Sequence, residues 1–140
     1  MNRTTAAIFR TLAVITAAVL ALLAANPAAA ATLPATQSIS VTRSGGFAGR
    51  TEYFLVDQAT DDRRAERALD LAAQPQFRRL APEYLPENPC CDRFTYQVVT
   101  QYTSGARKTV VTMDDVEGTP PVLLEVIDMV ILAGEPPTAM

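Results

Sequence analysis

Ile39-Ser40-Val41-Thr42-Arg43-Ser44-Gly45-Gly46-Phe47-Ala48-Gly49-Arg50, continued by Thr51 to Asp57, reads as a strand, a glycine-rich turn and a second strand. Ile39 and Val41 point one way and Ser40 and Thr42 the other, the alternation of a half-buried strand. Glycines at 45, 46 and 49 give the turn backbone angles closed to other residues. Phe47 stands in its middle. On pattern alone, the turn either tucks Phe47 into the core or offers it to a partner. In the second strand Tyr53 and Leu55 share one face and Phe54 and Val56 the other, so both sides are apolar.

Downstream, Gln58-Ala59-Thr60 ends the strand and Thr60 is placed to cap a helix. Ala65, Ala68, Leu69 and Ala72 recur at helical spacing, so the helix runs to about Ala73. Pro75, Pro82, Pro86 and Pro89 punctuate the next stretch. A short helical turn fits Gln76 to Leu80, and Glu83 to Asp92 reads as a loop carrying Cys90-Cys91. Arg93 to Tyr102 is the clearest strand. Phe94, Tyr96, Val98, Thr100 and Tyr102 share one face, and Thr95, Gln97, Val99 and Gln101 the other. Thr103-Ser104-Gly105-Ala106 turns it back into Arg107 to Met113, an antiparallel hairpin. After the acidic linker Asp114 to Gly118, Thr119 is expected to cap a last helix with Pro120 at its first position and Gly134 just past its end. Leu123, Val126, Ile127, Val130 and Ile131 give that helix a broad apolar face. The expected fold is α+β: a four-stranded antiparallel sheet in the order ββαββα, with two helices on one face and a partly solvated other face.

Residues 1–30 stand apart. Arg3 and Arg10 precede a fifteen-residue apolar run, Thr11 to Ala25, then Asn26-Pro27 and the small-residue stretch Ala28-Ala29-Ala30. This is the pattern of a secretory signal peptide. The run is short of the ~20 residues a membrane span needs. The expected organisation is a leader at 1–30, a flexible lead-in at 31–37, one domain at 38–134 and a tail at 135–140. The mature product is expected in the secreted or cell-envelope fraction, without stable membrane insertion after cleavage.

Loss of Arg3 and Arg10 leaves ten Lys and Arg against fifteen acids, a net charge of −5. With no basic stripe to neutralise phosphates, nucleic acid is not an expected partner. Histidine is absent, which removes His-based triads and imidazole-bound zinc. The adjacent cysteines cannot complete a four-ligand metal site without other donors. Lys108 is the lone lysine, and nothing frames a Ser–Lys pair around it. Asp114, Asp115 and Glu117 lack the spacing of a calcium loop. The chain is therefore read as a binding protein with no catalytic residue, metal or cofactor.

Two stretches carry a family resemblance. The segment Ile39 to Gly49, with its Arg43-Ser44-Gly45-Gly46-Phe47-Ala48-Gly49 core, resembles the opening signature of emfourin-type proteins. These are protein inhibitors of protealysin and related thermolysin-like (M4) metallopeptidases. Asp92-Arg93-Phe94-Thr95-Tyr96-Gln97-Val98 supports the likeness, which covers about Ile39 to Leu132; the leader and the cysteine pair lie outside its motifs. The resemblance implies a metallopeptidase partner whose zinc cleft accepts a large apolar side chain. It places Arg43, Ser44, Gly45, Gly46, Phe47, Ala48, Gly49 and Arg50 at the contact, with Phe47 as anchor and Arg43 or Arg50 facing carboxylates at the rim. Without a histidine, zinc ligation would fall to a backbone carbonyl or a carboxylate, and steric occlusion is the simpler mode. The alternative is a non-inhibitory binding domain that uses the exposed sheet face.

Overall fold

The computed structural model describes residues 32–134. The expected leader and the tail lie outside the described residues. Among those described, the order is β1 (Thr36–Gly45), β2 (Arg50–Asp57), α1 (Arg63–Ala73), α2 (Pro75–Arg78), β3 (Glu83–Tyr84), β4 (Phe94–Tyr102), β5 (Arg107–Met113) and α3 (Pro121–Ala133). The sheet runs β2-β1-β4-β5-β3. β1 pairs antiparallel with both β2 and β4, and β4 with β5.

The four-stranded, two-helix expectation is corrected here. The sheet has five strands and is mixed, because β3 runs parallel to β5 through Glu83↔Val111 and Tyr84↔Thr112. Among the described residues there is also a third helix, the single turn α2, at the place where a short helical turn was expected over Gln76 to Leu80. β3 is two residues long between Pro82 and Pro86, too short to show alternation. Its seat comes from a long-range bond, Val111 N–H donating to the Pro82 carbonyl at 2.9 Å, which no local pattern encodes.

The core lies between the sheet and the long helices. Ile39, Val41, Phe54, Val56, Val98 and Val110 face Ala65, Ala68, Leu71 and Ala72 of α1 and Leu123, Val126, Ile127 and Val130 of α3, with Phe77 and Leu80 closing one side. Burying each large side chain of this set is worth about 1.5–3 kcal/mol. The alanines of α1 let it approach closely, and Arg67 reaches Glu125 of α3 at 3.8 Å. Gly134 ends α3 against β2: a Cβ there would lie 2.8 Å from the Val130 carbonyl oxygen and 3.0 Å from Phe54 Cβ.

Three local expectations are revised. The cap of α1 is Asp62, whose Oδ1 accepts the Arg64 N–H at 2.6 Å. Thr60 instead closes the turn after β2, its Oγ1 accepting the Asp57 N–H at 3.0 Å. At α3, Pro120 is the cap residue and Pro121 opens the helix, while Thr119 Oγ1 lies 3.3 Å from Thr112 Oγ1. β1 begins at Thr36, and the residues before it are tied down: Thr103 N–H donates to the Ala35 carbonyl at 2.9 Å, and the Arg78 guanidinium donates to the Pro34 carbonyl. Among the described residues, no helix is long and apolar enough to cross a membrane.

Candidate functional site

The β1–β2 hairpin closes through Gly46-Phe47-Ala48-Gly49, with Gly49 N–H donating to the Gly46 carbonyl at 3.0 Å. Gly45, Gly46 and Gly49 hold φ of 106, 67 and 57°. At Gly45 and Gly46 the backbone also comes too close for a side chain. A Cβ on Gly45 would meet the Arg93 carbonyl oxygen at 2.5 Å, and one on Gly46 the Phe94 ring at 2.7 Å. Gly46 N–H donates to the Arg93 carbonyl at 3.2 Å. The loop is thus seated on the first residues of β4, with the Phe94 ring beneath it.

Phe47 takes no part in that seat. It is 95% exposed at the tip of the turn, which excludes the reading in which the turn tucks it into the core. Ala48, Gly49 and Arg50 are exposed beside it, while Ser44, Gly45 and Gly46 are half-buried. The apolar area of Phe47 gains nothing from solvent and is left free to be buried against a partner.

Arg43 has a different place from Arg50. Its guanidinium sits 4.9 Å from the Phe94 ring centroid and 5.5 Å from that of Phe54, and pairs with Glu52 at 2.5 Å. Arg43 and Glu52 are direct cross-strand partners in the hairpin register. Arg43 is therefore committed to bracing the base of the loop, and Arg50 is the hairpin arginine left facing solvent.

The brace continues into the next loop. Phe94 N–H donates to Asp114 Oδ2 at 3.0 Å, and Asp114 N–H returns a bond to the Phe94 carbonyl at 3.0 Å. Tyr96 lies beside this contact, its hydroxyl pushed up to about 12 first by burial and then by the Asp114 carboxylate. Asp114 is thus engaged with the backbone of β4. Among the described residues, no three His, Cys, Asp or Glu side chains gather to hold a metal ion. Lys108 is likewise occupied: its Nζ donates to the Leu80 carbonyl at 2.7 Å, and burial pushes its pKa down.

Glu52, Arg93, Phe94 and Asp114 support the loop from outside the contact set Arg43 to Arg50; Arg93 and Phe94 belong to the second motif quoted from the sequence, but no role at the loop was assigned to them. Glu52 was within reach, because a hairpin with Gly45 opposite Arg50 sets it across from Arg43 and opposite charges there attract. Asp114 had no such signal, since its bond to Phe94 spans twenty residues.

Of the residues expected on the open face of the sheet, Gln97 and Gln101 are exposed and Thr95 and Val99 half-buried. Tyr53 and Leu55 are each 45% exposed on β2, next to Thr42 and Ser40 of β1 and then Gln97 and Val99 of β4.

In comparisons with known proteins, the Emfourin family model matches residues 41–129. That interval takes in the second half of β1, the glycine loop, the Arg93–Phe94 seat and most of α3. No curated protein and no solved structure matches the chain.

Proposed function

The chain belongs to the Emfourin family, inhibitors of M4 (thermolysin-like) metallopeptidases, and from that premise we propose that it blocks the protease cleft with the loop Gly45 to Gly49. It is an inhibitor and not an enzyme, so the question is which surface meets the protease. The observation that carries the proposal is the exposure of Phe47 on a loop whose base is fixed.

Phe47 enters the apolar subsite of the cleft. Its ring leaves water only on binding, and the turn that presents it is already ordered, so little further conformational entropy is lost. Ala48 and Gly49 add little bulk and let the backbone follow the ring inward. Arg50 faces carboxylates at the rim. Arg43, already paired with Glu52, keeps the loop upright and does not contact the protease directly. Occlusion of the cleft is sufficient for inhibition, and no group of this chain needs to bind the zinc.

Export through the leader at residues 1–30 would place the inhibitor where secreted thermolysin-like proteases act. This part of the proposal rests on the sequence pattern, and N-terminal sequencing of the mature protein checks it. A start near Ala31 supports export, and retention of Met1 overturns it.

Titration of the purified protein into a thermolysin-like protease tests the inhibitory surface. Stoichiometric loss of activity is expected, with the Gly45–Gly49 segment intact afterwards and protected from hydrogen exchange in the complex. Loss of activity with protection confined to Tyr53, Leu55, Gln97 and Val99 would move the contact to the open sheet face.

A further inference from the structure

Cys90 and Cys91 are free, exposed thiols shortly before the seat of the glycine loop. They are close to each other: Cys90 pushes the Cys91 thiol up, first through a side-chain hydrogen bond and then through its charge. Cys91 also holds φ of 81°, in a region where a residue with a side chain is uncommon. Two hydrogen bonds run from this residue to the loop. The Cys91 carbonyl accepts the Arg93 N–H at 2.7 Å, and the Arg93 carbonyl accepts the Gly46 N–H at 3.2 Å.

We propose that Cys90-Cys91 is a redox modification site whose closure to a vicinal disulfide loosens the glycine loop from its seat. The oxidant is a small-molecule disulfide. The thiolate of one cysteine attacks a sulfur of that disulfide, breaking its S–S bond, expelling one small thiolate and leaving a mixed disulfide. The thiolate of the other cysteine then attacks the protein sulfur and expels the second small thiolate. One S–S bond forms between Cys90 and Cys91, two cysteine S–H bonds are lost, and their protons end on the two small thiols.

Neighbouring Cα atoms across a trans peptide are ~3.8 Å apart, below the usual span of a disulfide at about 4.4–6.8 Å. Closure is therefore strained, and because the small ring contains the Cys90–Cys91 peptide it resets the torsions on either side of that peptide, including the positive φ of Cys91. That change carries the Cys91 carbonyl away from Arg93 and disturbs the Arg93 carbonyl on which Gly46 rests. Because strained, exposed disulfides are easily reduced, the change is reversible. The proposed inhibitory role supplies the consequence: the dithiol form presents Phe47 firmly and the disulfide form less so.

The test treats the full chain with oxidised glutathione and reads three quantities. The first is mass, which should fall by two hydrogens without a covalent dimer. The second is the exchange rate of the Gly46 amide, which should rise about tenfold, the scale of one lost hydrogen bond, and return with dithiothreitol. The Gly105 amide at the opposite turn should not change. The third is inhibition of a thermolysin-like protease, which should weaken by about the same factor, while a C90S/C91S variant ignores the oxidant. Only mixed disulfides or covalent dimers, or a vicinal disulfide with unchanged Gly46 exchange, would overturn the proposal. Gly46 exchange needs no protease, so a chain that responds there and never inhibits would instead overturn the inhibitory reading.

Discussion

The two hairpin turns of this sheet lie at its opposite ends and do different jobs. The β4–β5 turn, Thr103 to Ala106, is closed by Gly105 N–H on the Tyr102 carbonyl and by Tyr102 N–H on the Ala106 carbonyl, both at 2.9 Å. Its four residues are small and exposed, and a Cβ added to Gly105 would meet nothing within 4 Å. The β1–β2 turn has Phe47 at its tip, and beneath it are Phe94, Arg43, Glu52 and a backbone bond to Arg93. Reversing the chain requires only the first kind of construction. A seated loop with an aromatic residue held in solvent makes sense when something else supplies the missing apolar contact.

Equivalent glycine substitutions probe that difference most strongly. Gly45→Ala places a side chain at φ 106° and 2.5 Å from the Arg93 carbonyl oxygen. It should destabilise the fold by about 3 kcal/mol, combining backbone strain with a forced shift of β4. Gly105→Ala meets only the left-handed backbone cost, about 1 kcal/mol. Urea denaturation of both variants measures the gap. Equal losses would mean that the glycine loop is no more tightly seated than the plain turn.

Arg43→Ala sharpens the comparison from the side of the brace. It removes the stack on Phe54 and Phe94 and the pair with Glu52, and should lower stability by about 1–2 kcal/mol. If bracing is its role, inhibition should weaken less than when Phe47 is removed. The reverse order, with stability intact, would put Arg43 at the protease surface.

Tyr96 gives the smallest effect, seen only in alkali. Its folded value of about 12 lies above the ordinary 10. Its contribution to stability is therefore complete below pH 10 and is lost as pH rises through 12. Tyr96→Phe should flatten the stability curve across that interval and leave neutral pH nearly unchanged. An unaltered alkaline limb would remove the Tyr96–Asp114 contact from the support of the loop.

The same contrast marks what can be read from residue order. Both hairpins were legible, since alternation and glycine spacing are local signals, and so was α1 from its alanine stripe. β3 was not, because two residues between prolines have no period and their pairing depends on Val111. The cap of α1 was not legible: Thr60, expected to hold it, is engaged with the Asp57 N–H in the preceding turn, and Asp62 caps the helix instead. At the site, the glycine loop was legible and the fate of Phe47 was not. That was settled by Phe94, which occupies the place under Gly46 and arrives from a strand forty-eight positions along the chain. Arg43 was likewise visible as a charge, while its inward direction depends on the rings of Phe54 and Phe94.

The most direct test is Phe47→Ala, with inhibition of a thermolysin-like protease and unfolding free energy measured on the same preparation. An exposed anchor predicts inhibition weakened by about 2–4 kcal/mol, roughly 30- to 1000-fold. Unfolding should shift by no more than about 0.5 kcal/mol, as for an exposed side chain. Inhibition as tight as that of the unaltered protein would contradict the account, as would a loss of stability large enough to explain the weaker inhibition.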